Sequence, residues 1–160
     1  MTPPRPYVIR VAGEADRERC FAVRREVFVR EQGVPEEVEL DAYDADAVHL
    51  LAEGPDGPLG TARVLHGAAV DRKYGASGVD GSTTAALGRL AVRGAARGTG
   101  LGAALVRAVE EQARLLGLGG VHLEAQTSAL VFYEKLGYTA HGPVFDEGSG
   151  IPHQAMHKLL

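Results

Sequence analysis

Leu87-Gly-Arg-Leu-Ala-Val-Arg-Gly-Ala-Ala-Arg-Gly-Thr-Gly-Leu-Gly-Ala-Ala-Leu105 is the stretch on which the fold turns. It begins as a strand over Leu87 to Val92, passes through a short turn and continues as a helix from Gly98 to Leu116. Gly117 suits the helix's C-terminal cap. Arg97-x-x-Gly100-x-Gly102 lies between strand and helix. A helix N-terminus offers unpaired N–H groups at the positive end of the dipole. Glycines at 98, 100 and 102 let a phosphate come close to those donors, and Arg97 adds charge. The loop is therefore suited to a pyrophosphate. A P-loop would need Gly-Lys-Ser/Thr, which is absent. A dinucleotide fold would need Gly-x-Gly-x-x-Gly, and the spacing here differs. The bland alternative is a glycine-rich turn before an ordinary helix, which the strand–loop–helix context disfavours.

Outward from this stretch, the pattern predicts a first strand at Tyr7 to Val11 and a helix over Glu14 to Val29. In that helix Cys20, Val23 and Val27 share one face. The acidic segment Glu36 to Asp46 reads as a solvated loop or short helix. Strands at Val48 to Glu53 and Leu59 to Leu65 flank the turn Gly54-Pro-Asp-Gly-Pro58. Gly67 to Thr84 is rich in Gly, Ser and Ala and predicts a mobile loop. After the central helix come a strand at Val121 to Ala125 and a helix at Ser128 to Leu136, with Ser128 as N-cap and Gly137 as C-cap. Tyr138 to Phe145 and His153 to Leu159 close the chain as strands. Interleaved helices and strands imply a layered α/β (α+β) domain, and the three successive strands in the middle exclude a simple doubly wound sheet.

The chain has 160 residues, enough for one domain with one sizeable core, 1–160. Its net charge of -4 argues against nucleic acid, which selects basic surfaces. Cys20 is the single cysteine, so no intramolecular disulfide forms, and no Cys/His cluster suggests a metal. Met1 to Pro6 holds no apolar signal core, and no apolar run is long enough for a bilayer. A cytoplasmic protein with no membrane partner is the expectation.

Arg97-Gly-Thr-Gly-Leu-Gly102 resembles the coenzyme A pyrophosphate loop of the GNAT superfamily, the Gcn5-related N-acetyltransferases. Phe132-Tyr-Glu-Lys-Leu-Gly-Tyr138 is similar to that family's second signature. Val27-Phe-Val-Arg-Glu-Gln-Gly-Val-Pro35, Glu39-Leu-Asp41, Asp44, His49 and Gly150-Ile-Pro-His153 resemble the ElaA-like branch. The resemblance runs from about Arg24 to Met156. It implies a mixed, mostly antiparallel sheet of six to seven strands flanked by helices, splayed between its fourth and fifth strands. It also implies transfer of an acetyl or related acyl group from acetyl-CoA to a primary amine, with no metal.

The resemblance implies that the backbone of Leu90, Ala91 and Val92 holds the pantetheine arm. It maps the pyrophosphate cradle onto Arg97, Gly98, Thr99, Gly100, Leu101, Gly102 and Ala103. Tyr133 takes the place of the general acid that protonates the departing thiolate, a role suited to a phenol of reference pKa near ~10. Gln126 stands where many members carry Asn, and would bind pantetheine or orient the acceptor. A base must deprotonate the amine. Glu39 comes first and His153 second, followed by Asp41, Asp44, His49 and Glu124.

Arg63 and Arg89 fall on strands, where an inward arginine needs a partner, so they are expected to pair with the acidic 36–46 segment rather than bind an acidic acceptor. Cys20, on an apolar face, reads as a buried small hydrophobe, which favours direct attack in a ternary complex over an acyl-cysteine. The acceptor is a small-molecule or peptide amine, and the chain a monomer or homodimer. Two other readings stand beside this one: an acyl-homoserine-lactone-synthase-like enzyme and a non-catalytic acyl-CoA sensor.

Overall fold

The computed structural model describes residues 7–160. Met1 to Pro6, the segment read for a signal core, lies outside them. The strands are β1 (Val8–Val11), β2 (Val48–Gly54), β3 (Gly57–Leu65), β4 (Thr84–Val92), β5 (Gly120–Gln126), β6 (Thr139–Asp146) and β7 (Pro152–Leu159). The helices are α1 (Arg17–Arg24), α2 (Glu36–Glu39), α3 (Ala68–Tyr74), α4 (Leu101–Leu115) and α5 (Leu130–Glu134). One seven-stranded sheet has the order β1-β2-β3-β4-β5-β7-β6. Every neighbouring pair is antiparallel except β4 with β5.

Alternation along the strands sorts side chains onto two faces. Leu50, Ala52, Ala62, Val64, Ala85 and Leu87 pack with α4, whose Leu101, Leu105, Val106, Val109 and Ala113 are buried at helical spacing. Burying each such Leu or Val contributes about 1.5–3 kcal/mol. Gly60 on β3 lets α4 come close, since a Cβ there would meet Leu105 Cδ1 at 3.0 Å and Ala91 O at 3.1 Å. On the other face, Leu51 packs with Cys20 of α1, and Leu65 and Ala86 pack with α3. Glu110 of α4 is buried and tied down twice: Tyr138 Oη donates to it at 2.9 Å and Lys158 Nζ at 3.0 Å.

Three expectations need correction. Gly67 to Thr84 is not a loop throughout. It contains α3, because Ala69, Val70 and Tyr74 form a small apolar face that is buried on Leu65, Ala47 and Ala86. Ser128 is not an N-cap. It lies within a 3₁₀ turn, Thr127–Ala129, and α5 starts after Ala129 with no side-chain cap bond. The first helix is also not uniform. A 3₁₀ turn, Glu14–Asp16, precedes α1, and Arg25–Glu31 widen into π-helical turns, with Gln32 N–H donating to Val27 O at 3.2 Å. Gly117 and Gly137 do cap their helices, with φ of +75° and +97° and the paired return bonds of a Schellman turn. Among the described residues, no helix is long and apolar enough to cross a membrane.

Candidate active site

The β4 and β5 strands run in parallel register only from Thr84↔Gly120 to Leu87↔Leu123. Beyond that point they part, while β4 stays paired to β3 as far as Val92↔Gly60 and β5 to β7 as far as Gln126↔His153. Each strand thus keeps one satisfied edge and turns an open edge to the gap. The cause lies in β4. The register against β3 shifts between Thr61 and Arg63, and Arg89 adopts a φ of +52°, the one positive-φ non-glycine among the described residues. Such a residue costs roughly 1–3 kcal/mol and persists only where its surroundings hold it. Three bonds hold Arg89: Nε to Glu39 O at 3.0 Å, and Nη2 to Val38 O at 3.3 Å and Asp41 Oδ2 at 3.2 Å. The bulge bends β4 away and opens a cleft of about 740 Å³.

At one end of the cleft is the glycine loop. Gly98 and Gly100 have φ of +77° and +85°, a region glycine enters without steric cost. The α4 helix starts at Leu101 rather than Gly98, and the first of its N–H groups to return to the chain is that of Ala104, to Gly100 O at 3.1 Å. The N–H groups of Leu101, Gly102 and Ala103 are left for a ligand, and no Cβ narrows the approach at Gly98 or Gly100. Gly102 has a second reason to be glycine, since a Cβ there would meet Phe132 at 3.3 Å. These groups fit a pyrophosphate. Arg97 is nearby, but its guanidinium is engaged: Nη2 bonds Glu31 Oε2 at 2.7 Å and Nε bonds Val92 O at 3.0 Å.

The predicted residues mostly converge on this one cleft. Leu90, Ala91, Val92, Arg97, Gly98, Gly100, Leu101, Gly102, Ala103, Gln126, Glu39, Glu124, Tyr133 and His153 all line it. Thr99 does not; its hydroxyl donates to Ala96 O at 2.5 Å and braces the loop from behind. Gln126 meets Gln32 across the cleft mouth, its Nε2 donating to Gln32 Oε1 at 2.8 Å. Tyr133 is buried against Phe132 and Tyr138, and burial pushes its phenol well above the usual range, so it keeps its proton.

The base candidates separate. Asp41, Asp44 and His49 do not line the cleft. Asp44 binds Arg24 Nη1 at 2.7 Å and Arg63 Nη1 at 3.1 Å, and Asp41 binds Arg63 Nη1 at 2.7 Å. Arg63 and Arg89 thus pair with the acidic segment, as expected. Burial alone would raise the Asp44 carboxyl, but Arg24 and Arg63 outweigh it and hold it down at about 2. His49 Nε2 lies 2.9 Å from Asp44 O, and burial lowers its pKa.

Glu39 is not the solvated carboxylate that its acidic segment suggests. It is 2% exposed, and its Oε1 accepts from Arg24 Nε at 2.9 Å and lies 3.2 Å from Arg89 Nε in an ion pair. Its Oε2 is buried without a partner. His153 donates from Nδ1 to Ile151 O at 2.7 Å, a carbonyl being only an acceptor, and its Nε2 lies 3.3 Å from Glu147 Oε1. Cys20 is fully buried outside the cleft, and burial pushes its thiol up.

Sequence reasoning missed four contributors. Arg24 is 1% exposed and anchors the charged floor. It shares the face of Cys20 and Val27 by helical spacing, so periodicity could have placed it inside. Tyr74 lines the cleft from α3, within the segment whose Gly, Ser and Ala content predicts a loop. Glu31 and Gln32 reach the mouth because the π-helical turns carry them there.

A family model described as the acetyltransferase (GNAT) domain matches residues 27–160. A Bacillus subtilis (strain 168) protein, provisionally named an acetyltransferase, is 36% identical over 154 residues, 94% of this chain and 95% of the relative. A solved structure from Lactobacillus plantarum, provisionally named an N-acetyltransferase, superposes with a TM-score of 0.80 at 31% identity, covering 96% of this chain and 98% of the other. Escherichia coli ElaA shares the fold, with a TM-score of 0.74 at 24% identity over 95% of this chain and 97% of its own.

Proposed function

The chain belongs to the GNAT acetyltransferase family, and from that premise we propose that it moves an acetyl or related acyl group from acyl-CoA to a primary amine by direct attack in a ternary complex. The observation that carries this reading is the open edge of β4, which leads from the free N–H groups of α4 to Tyr133 along one continuous cleft. Acyl-CoA, when bound, supplies an activated thioester.

The protein's own part is to bind, orient and move protons. The N–H groups of Leu101, Gly102 and Ala103 cradle the pyrophosphate, with Arg97 released from Glu31 to assist. The backbone of Leu90, Ala91 and Val92 would hold the pantetheine arm along the edge of β4 that β5 leaves unpaired. Gln126 hydrogen-bonds the arm or the acceptor from the β5 side. Tyr133, neutral and dry, gives its proton to the departing sulfur. Glu39 takes the acceptor's proton through Oε2, the oxygen that no arginine occupies, and His153 Nε2 is the second candidate. Cys20 is buried away from the cleft, which supports a route without an acyl-cysteine.

The test is thiol release from acetyl-CoA with a panel of primary amines, each product identified by mass spectrometry. Amine-dependent release with an N-acetyl product is the expected result. Tight acetyl-CoA binding without release across the panel would favour the sensor reading. Release only from an acyl carrier protein would favour the lactone-synthase-like reading.

A further inference from the structure

The acceptor end of the cleft carries a charge pattern that the transfer reaction itself does not require. Four carboxylates line the cleft, Glu31, Glu39, Glu124 and Glu147, against two arginines, Arg89 and Arg97. At the cradle end, Glu31 and Arg97 neutralise each other. At the other end, Arg89 is consumed by Glu39, Val38 O and Asp41, and Lys73 is held 3.6 Å from Asp41 with its ammonium over the Tyr43 ring.

The carboxylates there keep unused acceptor capacity. Glu39, 2% exposed, has an Oε2 with no partner. A buried lone oxygen of this kind costs about 1–3 kcal/mol unless something donates to it. Glu124 faces no arginine or lysine among the described ion pairs; its charged-group contact is His122 Nε2 at 3.8 Å. Glu147 faces His153 Nε2 at 3.3 Å. Glu124 stands two residues before Gln126 on β5, and Gln126 pairs across to His153, the contact of Glu147, so the two carboxylates stand on the same side of the cleft. The lining of the same cleft includes the apolar surfaces of Val34, Val38 and Tyr74.

Resting on the acyl-transfer reading, we propose that the acceptor is an aliphatic diamine-type molecule. Its reacting amine donates to Glu39 Oε2, its hydrocarbon spacer lies on Val38 and Tyr74, and its distal ammonium is held by Glu124 and Glu147. The chemistry is that of a protonated amine against carboxylates in a half-buried site, where each charge-assisted bond is stronger than a neutral one. Before transfer, the reacting ammonium loses one proton to Glu39. Its lone pair then forms the C–N bond as the C–S bond breaks, the sulfur takes a proton from Tyr133, and the new amide nitrogen sheds its second proton, which restores the Tyr133 phenol. An acceptor carrying a carboxylate in place of the distal ammonium meets Glu124 and Glu147 with like charge and is disfavoured.

The experiment compares three acceptors of matched length by calorimetry on the CoA-saturated protein: 1,4-diaminobutane, 4-amino-1-butanol and 4-aminobutyrate. The diamine should bind at least about tenfold tighter than the amino alcohol, and the amino acid weakest. In the double variant Glu124→Gln/Glu147→Gln, the diamine-to-alcohol ratio should narrow to within about twofold. Equal affinities, preference for the amino acid, no diamine binding, or an unchanged ratio in the double variant would each overturn the proposal. Thiol release from acetyl-CoA is followed on the same three compounds. Binding in the expected order without release would sink the transferase reading alone. Release with a flat ranking would sink the diamine proposal alone.

Discussion

The two ends of the cleft are built from different materials. The cradle at Gly98 to Ala103 is backbone: N–H groups at the start of α4, exposed by two glycines at positive φ and bonded to little else. The floor at the acceptor end is side chain: Arg24, Arg63 and Arg89 interlocked with Glu39, Asp41 and Asp44, with Arg24, Arg63 and Glu39 at 2% exposure or less. A backbone site needs only a local sequence pattern and contributes little to stability. A buried ionic floor draws on α1, α2, β3 and β4 together, and each member is costly to remove. Affinity for the donor should therefore reside at the cradle, and stability and acceptor geometry at the floor.

The largest expected effect breaks the floor. Arg24→Met keeps much of the volume but takes from the buried Glu39 and Asp44 carboxylates the arginine they share, leaving Arg89 and Arg63 as their partners. Unpairing a buried ion pair costs about 3–5 kcal/mol, to be read by denaturant unfolding. A loss under about 1 kcal/mol would mean that the floor relaxes or takes up water, and that the contrast between the two ends is overdrawn.

Tyr133→Phe sits between the two ends and should touch neither stability nor donor affinity. Loss of a general acid is typically worth ~10²–10⁴-fold. With an accepted amine, kcat should fall by at least about tenfold while the acetyl-CoA dissociation constant stays nearly constant. A parallel loss of affinity would make Tyr133 a binding residue.

The floor should also fail in acid before the cradle is affected. The Asp44 carboxyl is held at about 2, below its ordinary value. A depressed carboxylate stabilises the fold above the unfolded pKa, and that stability is lost as pH falls toward the folded value. Thermal unfolding temperature should thus drop between pH of about 4 and about 2. Asp44→Asn, less stable at neutral pH, should show a shallower drop. Equal slopes for both proteins would place the acid-sensitive group elsewhere.

The smallest effect sharpens the cradle. Glu31→Gln frees Arg97 from a half-exposed pair of the kind worth about 0–1 kcal/mol. Acetyl-CoA should bind up to about fivefold more tightly, most visibly at low salt. Weaker binding would mean that Glu31 holds Arg97 in its working position.

The same contrast explains what was legible in the sequence. Arg97 to Gly102 could be read because glycine spacing after a strand fixes a local geometry, and Phe132 to Tyr138 marks the segment that packs beside it through Phe132 and Gly102. The splay followed from the resemblance, but its cause, Arg89 at positive φ, did not, because Arg carries no conformational signature for that region. The acidic segment looked solvated by composition. Its burial depends on Arg24 and Arg63, which are 15 or more residues away in sequence from their Glu39 and Asp44 partners. The α3 helix was hidden for another reason: its seven residues bury only Ala69, Val70 and Tyr74, too few to show a period against the surrounding Gly and Ser.

The central claim, that the cradle binds the donor without supporting the fold, is tested most directly by Gly100→Asp. Asp tolerates the left-handed backbone better than most residues, and no atom lies within 4 Å of a Cβ at this position. Its carboxylate would stand against the pyrophosphate. Calorimetry with acetyl-CoA should show affinity lower by at least about tenfold, while the unfolding free energy stays within about 1–2 kcal/mol of the parent. Unchanged acetyl-CoA affinity in a folded Gly100→Asp protein would contradict the account.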